Sequence, residues 1–430
     1  MVFLWFFFMK YSPGKLIGKP YLIEATIAHR KKIVSYKKNG TAILQLDGGL
    51  ISIPPENQFD LTQATIFGLN DRLTSSATSP VVRKDGKTLR DEFNKEWETY
   101  AEALEKTRGN SLSYGIYAYY GTRNQLVRYC LPYWHRVVSI ASSSKLIADP
   151  KNKYSWKEIR DIFENTTVGV AGASVGNSII HSAIMDLRPR SVKIADKSLY
   201  KMENINRVRL SYWDIVYSNA RRLHPTDPLL RNKAEVTADQ LYAIDPFLDV
   251  FVYNEGLHEG NIDNFLGGMK KEPPCDFLVE EVDDPNVKIF IREQARKRKI
   301  PLIMASDFGS CVQLDISRYD KDEQLSLTYG CDDTRLREST QAVYDNPGNR
   351  EIFFQFVDDL AGRNYRQDEL QKIIEGKTEI PTSTIIPQLG STTAAAGGIV
   401  AEAICRLRLG YDYPRRVIFN RKTFQVIRYD

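Results

Sequence analysis

An acid, two asparagines and an arginine follow the end of one apolar run within twelve residues of each other. Residues 195–210 read "ADKSLYKMENINRVRL" and contain Asp196, Asn204, Asn206 and Arg207. Arginine offers a rigid fork of donors for phosphate oxygens, and a carboxylate can accept hydrogen bonds from ribose hydroxyls. A surface loop would accept the same polar residues, so the flanking chain decides whether they form a site.

A glycine-rich segment precedes this stretch. "GVAGASVGNS" (169–178) lies between a predicted strand and a predicted helix, and it contains Gly172, Ser174 and Gly176. Glycine lets the backbone approach a phosphate closely, while a helix N-terminus offers free N–H groups. Asp196 follows Gly176 by twenty residues, where a dinucleotide-binding sheet carries its ribose-binding acid. A purely structural turn is the alternative interpretation of the glycines.

The glycine segment and the acid together fit two classes of enzyme, an NAD-dependent oxidoreductase and an enzyme that binds ATP on a Rossmann-like sheet. Further residues favour ATP, because fixed cations and amide donors stabilise the charge that moves onto departing pyrophosphate. Arg207 and Lys233 supply cations, and "VEEVDD" (279–284) supplies oxygen ligands for Mg²⁺. A non-catalytic scaffold that binds a nucleotide or a partner is a third hypothesis.

These motifs depend for their position on an alternating pattern of strands and helices that begins near Ser155. Strand-like apolar runs occur at 167–172, 191–196, 248–254, 275–281 and 300–306, and helical patterns at 177–187, 233–244 and 287–299. The alternation predicts an α/β fold with a Rossmann-like, mostly parallel sheet and helices on both faces. Ligands of such sheets bind beyond the carboxyl ends of the strands, which is where the motif residues fall.

The first third of the chain differs in pattern. Residues 1–150 are predicted to form a smaller N-terminal α+β region of unknown role, and residues 151–430 the ATP-binding domain. Turn signals within 20–53 predict a small antiparallel sheet. Apolar spacing predicts a helix over 91–106 and a second, tyrosine-rich helix from about Ser113.

Composition narrows the class of protein further. A net charge of +5, from 59 basic and 54 acidic residues, is too weak a bias to indicate nucleic acid as a partner. The five cysteines are scattered with no Cys-x-x-Cys pair, so we expect no zinc site and a reducing, cytoplasmic environment. The apolar run at residues 2–9 is too short for a membrane span. Initiation at Met9 rather than Met1 would explain that run, as would a strand that packs on a partner.

The motifs between about residues 155 and 310 resemble those of the superfamily of ubiquitin-activating enzymes, whose bacterial members include ThiF, MoeB and HesA. That family carries a glycine loop, an acid after the second strand, Asn-x-Asn-Arg, a lysine opening the next helix and an aspartate after the fourth strand. The segments 243–257 and 387–410 are also similar to parts of that family. The shorter glycine loop and the extra residues within 212–230 indicate a divergent bacterial branch.

The resemblance implies roles for individual residues. The residues implied to bind the nucleotide are Gly172, Ser174, Gly176, Asp196, Asn204 and Asn206. Among them, Asp196 would hold the ribose and Asn204 the ribose or the α-phosphate. The catalytic cations Arg207 and Lys233 would hold the phosphates.

The resemblance also implies a magnesium ligand. Asp283 is chosen over Asp284 because it lies eighteen residues before Pro301, which is the family's spacing to its next strand. ATP and Mg²⁺ are therefore the expected cofactors. Cys331, in a polar, loop-like setting, is the candidate nucleophile for a thioester, although the neighbouring Asp332 and Asp333 would raise its pKa.

The implied activity is ATP-dependent adenylation of a carboxylate with release of pyrophosphate. By resemblance, the carboxylate belongs to the C-terminus of a small ubiquitin-like or sulfur-carrier protein, or of a peptide. Related proteins are homodimers in which an arginine reaches the partner's phosphates, and Arg128 or Arg136 could fill that role here.

Overall fold

The structure of the protein is a computed structural model. The structure describes residues 13–24, 32–46, 49–53, 65–67, 116–120, 125–129, 148–216, 230–362 and 388–429. The chain divides into two compact units. One unit is Gly18–Val138, and the other combines Met1–Ile17 with Ser139–Asp430.

The Gly18–Val138 unit contains two small sheets in its described part. Its strands are β1 (Tyr21–Glu24), β2 (Lys32–Tyr36), β3 (Ala42–Leu46), β4 (Gly49–Ile53), β5 (Thr65–Phe67), β6 (Ile116–Tyr120) and β7 (Gln125–Tyr129). Strands β2, β3 and β4 form an antiparallel meander, as the turn signals in this stretch predict. The second sheet has the order β1-β6-β7-β5.

The helix predicted from about Ser113 is wrong. Residues 116–120 form strand β6, which pairs antiparallel with both β1 and β7. The segment reads Ile-Tyr-Ala-Tyr-Tyr, and β-branched and aromatic side chains fit the pleated surface of a sheet well. Its Ala118, Tyr119 and Tyr120 are buried. The helix predicted over 91–106 lies outside the described residues.

The larger unit is built on an eight-stranded sheet. Its strands are β8 (Thr167–Ala171), β9 (Ser191–Ala195), β10 (Asp249–Tyr253), β11 (Phe277–Glu280), β12 (Leu302–Phe308), β13 (Cys311–Ser317), β14 (Arg416–Asn420) and β15 (Gln425–Tyr429). Their order is β10-β9-β8-β11-β12-β13-β14-β15. The first five are parallel, which confirms the predicted Rossmann-like sheet. The chain moves outward from β8 in one direction and then returns to β11, so a crevice opens between the carboxyl ends of β8 and β11.

Helices cover both faces of this sheet. The described helices of this unit are α1 (Trp156–Glu164), α2 (Val175–Leu187), α3 (Tyr212–Ile215), α4 (Lys233–Ile244), α5 (Ile262–Gly267), α6 (Pro285–Lys297), α7 (Asp333–Asp345), α8 (Arg350–Ala361) and α9 (Gly390–Arg408), with a 3-10 helix at Met202–Asn206. Leu278 of β11 clusters with residues of α5 and α6 on one face. On the other face Val170 of β8 lies against Gly176 of α2. No helix in these ranges is both long and apolar enough to cross a membrane.

The glycine-rich helix near the end of the chain packs directly against α2. A Cβ atom at Gly397 of α9 would lie 2.6 Å from the carbonyl oxygen of Ser178. The two helix backbones can approach this closely only because residue 397 lacks a side chain. The N-termini of α2 and α9 are thereby held close to the same edge of the sheet.

Candidate active site

The glycine loop after β8 forms one wall of the crevice. Gly172 has φ +94°, and its N–H donates to the carbonyl oxygen of Ala195 at 2.8 Å. A Cβ atom at Gly172 would lie 2.3 Å from the carbonyl oxygen of Glu281, which follows β11. Only glycine fits this backbone conformation and this close approach, so the loops after β8 and β11 meet here.

The N-terminus of α2 lies immediately beyond this glycine. Ser174 is the N-cap residue, but its hydroxyl does not cap the helix. Instead the Ser174 Oγ accepts a hydrogen bond from Arg207 Nε at 3.2 Å. A helix N-terminus carries unsatisfied N–H groups and a positive dipole end. Together with a guanidinium group it forms a binding place for an anionic group such as phosphate.

Asp196 joins the glycine loop to the loop after β9. Its Oδ2 accepts from the N–H of Ala173 at 2.8 Å, and its Oδ1 accepts from the N–H of Ser198 at 2.7 Å. The carboxylate remains partly exposed, so its remaining lone pairs can accept from a ligand. The structure therefore places Asp196 at the edge of the sheet where a ribose-binding acid is expected.

The three polar residues of "NINR" occupy different surroundings. Asn204 is only 2% exposed, and its Oδ1 accepts from the N–H of Lys201 at 2.8 Å. This side chain lies inside the turn and not on the surface of the crevice. Asn206 is exposed, and Arg207 is partly buried. Among the described residues, the two terminal nitrogens of Arg207 donate no hydrogen bond, so the fork of the guanidinium remains available.

Arg207 is held in place by the last glycine-rich helix. Its carbonyl oxygen accepts from Thr393 Oγ1 of α9 at 2.7 Å, and its N–H donates to the carbonyl oxygen of Asn204 at 3.2 Å. Gly390, the first residue of α9, lies so close that a Cβ atom there would be 2.8 Å from the carbonyl oxygen of Asn206. The backbone of Arg207 is therefore fixed, and only its side chain can move.

Lys233 begins α4, as the pattern predicts. Its N–H donates to the carbonyl oxygen of Ser198 at 2.9 Å, and its Nζ lies 5.9 Å from the centroid of the Tyr200 ring. The preceding residue, Asn232, caps the helix through its Oδ1, while its Nδ2 donates to the carbonyl oxygen of Asp196 at 2.9 Å. Asn232 thus connects the lysine to the acid.

Tyr200 links the same elements to the glycine loop. It is fully buried, and its hydroxyl donates to the carbonyl oxygen of Ala173 at 2.7 Å. Burial raises the pKa of Tyr200, so the side chain stays a neutral donor. Neither Tyr200 nor Asn232 is among the site residues predicted from the sequence. An asparagine directly before a helical pattern is a signal for an N-cap, whereas nothing in the local sequence points to Tyr200.

Two acids at the end of β11, Glu280 and Glu281, accept hydrogen bonds from neighbouring elements. Glu280 is buried, and it accepts hydrogen bonds from Lys288 Nζ at 2.8 Å and Arg292 Nε at 2.9 Å. Although burial raises the pKa of Glu280, these two cations hold it below its ordinary value. Glu281 accepts from the N–H of Ala305 at 2.7 Å, and burial raises its pKa. Both side chains therefore organise the end of β11.

Asp283 and Asp284 differ in whether they take part in capping α6. Asp284 is the N-cap residue and accepts from the N–H groups of Asn286 at 3.1 Å and Val287 at 3.3 Å. Asp283 is exposed. Within the described ranges no three His, Cys, Asp or Glu side chains are grouped so that they could hold a metal ion. Magnesium at Asp283 would therefore take its other ligands from water and a nucleotide, which is common for this ion.

A buried acid that the sequence analysis did not identify lies at the end of β12. Asp307 is 6% exposed, and neither of its carboxylate oxygens has a hydrogen-bond partner among the described residues. Burial raises the pKa of Asp307 to about 7, even though the positive charge of Arg207 lowers it. Asp307 is therefore part of the surroundings of Arg207.

Cys331 lies apart from the crevice residues, beside the start of α7. It is partly buried and packs against a cluster that includes Leu336, Phe354 and Leu360. Burial raises the pKa of the Cys331 thiol to about 12, with the charges of Asp359 and Asp332 adding to the effect. The surroundings of Cys331 therefore disfavour the thiolate, which is the reactive form of a nucleophilic cysteine.

Comparison with known proteins identifies the class to which this fold and site belong. The model of the ThiF family matches residues 163–429, which is most of the chain. The chain therefore belongs to the ThiF family. This membership confirms the resemblance drawn from the sequence motifs.

Individual relatives are more distant. An uncharacterised protein of Mycobacterium tuberculosis (MT1398) is 28% identical over 163 residues, which are 38% of this chain and 20% of that protein. The crystal structure of PaaA is 13% identical with a TM-score of 0.43, covering 82% of this chain and 99% of PaaA. The crystal structure of Escherichia coli MccB is 12% identical with a TM-score of 0.39, covering 94% of this chain and 92% of MccB. At this level of similarity none of them informs the substrate of the present chain.

Proposed function

We propose that this protein uses ATP to adenylate the C-terminal carboxylate of a small ubiquitin-like or sulfur-carrier protein, or of a peptide. The observation that carries the proposal is the hydrogen bond from Arg207 to Ser174 at the N-terminus of α2. It brings a guanidinium group, a helix N-terminus and a glycine loop to one place. Each of these groups binds phosphate, and together they offer a site for the phosphates of ATP.

The neighbouring residues contact the ribose and the phosphates of the nucleotide. Asp196, at the end of β9, accepts hydrogen bonds from the ribose. Arg207 and Lys233 bind the phosphates, and they matter most when negative charge moves onto the departing pyrophosphate. A carboxylate oxygen of the substrate attacks the α-phosphorus, and the bond from that phosphorus to the bridging oxygen breaks. The products are an acyl-adenylate and pyrophosphate.

Asp283 is the residue that we propose for magnesium. Its exposure leaves the carboxylate open to a hydrated ion, whereas Asp284 is engaged in capping α6. Bound Mg²⁺ would neutralise charge on the phosphates, and Asp283 is the one ligand that we propose from the described part of the chain. The choice of Asp283 over Asp284, first based on the spacing to Pro301, gains a physical reason from the cap.

The class of carboxylate that we propose rests on the family resemblance and not on the geometry of the site. A carboxylate is a poor electrophile until its oxygen becomes part of a good leaving group, and an adenylate provides that leaving group. Because burial and the neighbouring carboxylates raise the pKa of the Cys331 thiol, we propose that the acyl-adenylate is passed directly to an acceptor without a thioester at this cysteine.

We further propose that the protein is a cytoplasmic homodimer. The scattered cysteines suit a reducing compartment. The dimer rests on the family resemblance alone, in which an arginine reaches the phosphates of the partner. Arg128 lies on β7, and Arg136 lies outside the described residues. Light scattering at micromolar protein with ATP present tests the assembly, and a strictly monomeric protein would contradict it.

Exchange of radiolabelled pyrophosphate into ATP tests the activity. We expect label in ATP only when Mg²⁺ and a peptide ending in a free Gly-Gly carboxylate are both present. The same peptide with an amidated C-terminus is the matched control, because it lacks only the attacking oxygen. Absence of exchange with every free carboxylate in a panel of such peptides, although the protein binds ATP, would contradict adenylation of this substrate class.

A further inference from the structure

The unpartnered carboxylate of Asp307 calls for a physical explanation. An ionised carboxylate that is nearly fully buried is costly unless a cation or several donors compensate for its charge. Asp307 is 6% exposed, and both of its oxygens lack a hydrogen-bond partner in the described part of the chain. The compensation must therefore come from a charge that lies nearby without forming a hydrogen bond.

The elements around Asp307 supply one such charge. Adjacent residues of α9 hold the turn after the 3-10 helix and the end of β12 together, since Thr393 Oγ1 donates to the carbonyl oxygen of Arg207 and Thr392 Oγ1 to that of Gly309, both at 2.7 Å. Arg207 then acts on Asp307 through its positive charge. Glu281, directly after β11, is the other ionisable group nearby, and the charge of Asp307 adds to the rise in the pKa of Glu281 that burial causes. Val312, the residue paired with Asp307 on β13, is apolar. The first turn of α9, Gly-Ser-Thr-Thr, carries no ionisable group.

Arg207 also belongs to the proposed phosphate site, through Ser174 and the N-terminus of α2. One guanidinium therefore serves two negative groups, the Asp307 carboxylate and the triphosphate. Because the backbone of Arg207 is fixed by Thr393 and Asn204, its side chain alone can change partner. A phosphate can accept two parallel hydrogen bonds from the guanidinium of Arg207, so it binds this group more strongly than Asp307 does.

We propose that Asp307 is the counterion of Arg207 in the empty site, that the triphosphate displaces it, and that Asp307 then takes up a proton from solvent. This inference rests on the proposed binding of ATP at Arg207. It adds a residue to the nucleotide site that acts through Arg207, and it couples ATP binding to protonation.

The charge of Asp307 also affects the binding of the substrate carboxylate. With ATP absent and above pH 7, the crevice holds the ionised carboxylate of Asp307, which repels the carboxylate of a substrate. With ATP bound, a protonated Asp307 is neutral and can donate a hydrogen bond. The acyl substrate therefore meets a favourable surface only after ATP has bound.

Because Arg207 exchanges Asp307 for the triphosphate, the direction in which the affinity for ATP changes with pH can be derived. The pKa of Asp307 is about 7 when Arg207 is its counterion, and loss of that counterion raises it further. The ATP complex then holds more protons than the free protein above pH 7, so affinity falls as pH rises through the higher pKa. Below pH 7 both forms are protonated, and this group adds no pH dependence.

Calorimetry with MgATP between pH 6 and pH 9 tests the inference. If the pKa rises by about one unit, the wild-type protein binds ATP about tenfold more weakly at pH 9 than at pH 6 beyond the change intrinsic to MgATP. Asp307→Asn, which mimics the protonated acid, should lose this excess and bind about tenfold more tightly than wild type at pH 9.

The control variant is Asp320→Asn. Asp320 lies three residues beyond Ser317, which pairs with Leu302 at the beginning of β12, so it is at the other end of the strands. Its carboxylate pairs with Arg318 near the surface. This variant removes the same group from the same protein, and we expect the pH dependence of wild type.

A second measurement needs no variant and covers a failure of Asp307→Asn to fold. At pH 8 the terminal phosphate of ATP is already ionised, since phosphate monoesters have a second pKa near 6. Titration of the wild-type protein in two buffers of different ionisation enthalpy then counts protons taken up by the protein. We expect uptake of a substantial fraction of one proton per bound ATP.

The outcomes separate this inference from the proposed function. If the wild-type protein binds ATP with no proton uptake, or if Asp307→Asn keeps the pH dependence of wild type, the inference is overturned and the proposed function stands. If neither protein binds ATP at any pH, both are overturned. Tighter binding by Asp307→Asn at pH 9 with proton uptake by wild type supports the inference.

Discussion

The two halves of the crevice differ in how completely their polar groups are satisfied by the chain itself. On the side of β8 and β9, Asp196, Tyr200 and Asn232 each make hydrogen bonds that join one loop to the next. On the side of β11 and β12, Asp283 is exposed and Asp307 is buried without a hydrogen-bond partner in the described ranges. Arg207 lies between the two halves. The first half is organised by the chain itself, whereas we propose that Mg²⁺ and ATP complete the second half.

Replacing the residue between the halves should have the largest effect. Arg207→Ala removes a charge-assisted contact that strengthens as pyrophosphate departs, so we expect pyrophosphate exchange to fall by about 10²–10³-fold. Lys233→Ala should behave alike. Because the Arg207 side chain is only partly buried, the thermal midpoint should stay close to that of wild type.

Arg209→Ala is the matched control for Arg207→Ala. Arg209 is exposed and only two residues further along the chain, so the variant removes the same charge from the same segment. Exchange should remain near the wild-type rate. Equal losses in the two variants would mean that the net charge of the segment matters and not the place of Arg207 between the halves.

The second comparison is between Asp283 and Asp284, on the side of β11 and β12. Asp283→Ala should raise the Mg²⁺ concentration needed for half-maximal exchange while leaving the thermal midpoint unchanged. Asp284→Ala removes an N-cap and should cost about 1 kcal/mol of stability with a normal Mg²⁺ requirement. A magnesium titration of exchange combined with thermal unfolding separates the two, and the reverse assignment of effects would place the ion at Asp284.

In the organised half, Asp196→Asn should have a smaller effect on the rate. A ribose contact is present equally in the ground state and the transition state, so its loss raises KM for ATP and leaves kcat unchanged. The expected rise in KM is about tenfold, from the loss of a charged hydrogen bond. A fall in kcat with an unchanged KM would show that Asp196 acts on the chemical step.

Asn204→Ala should have the smallest effect on activity. Its buried amide holds the 3-10 helix, so truncation should cost about 1–3 kcal/mol of stability and change KM little. Asn206→Ala, at an exposed position, should leave stability within about 0.5 kcal/mol of wild type. Steady-state kinetics with thermal unfolding checks both variants. A raised KM with normal stability in Asn204→Ala would restore the nucleotide contact that the sequence motif suggests.

Much of the sheet could be predicted because its elements are encoded locally. The helix predicted over 233–244 has those same bounds in α4, and the strand predicted over 191–196 corresponds to β9. Strand β13 was not anticipated, since its pattern includes the buried polar residues Gln313 and Asp315. The partner of Asp315 is Arg416, 101 residues away, and no local pattern shows such a pair.

The residues of the candidate site also differ in whether the sequence alone could predict them. Arg207 and Lys233 stand out in the sequence because their residue types and neighbours are distinctive. The residue that fixes the backbone of Arg207 is Thr393, 186 positions further on, and only the fold brings the two together. A single aspartate in a strand, such as Asp307, carries no signal in the sequence, because its burial depends on every element packed around it.

The central claim is that this crevice joins a substrate carboxylate to the α-phosphate of ATP, and an isotope transfer tests it most directly. A Gly-Gly peptide labelled with heavy oxygen in its C-terminal carboxylate is incubated with the protein, MgATP and hydroxylamine, and the nucleotide products are analysed by mass spectrometry. We predict AMP that carries one heavy oxygen, because the carboxylate oxygen that attacked phosphorus stays with AMP when the acyl group leaves. Heavy oxygen in inorganic phosphate together with ADP, or unlabelled AMP, would contradict the account.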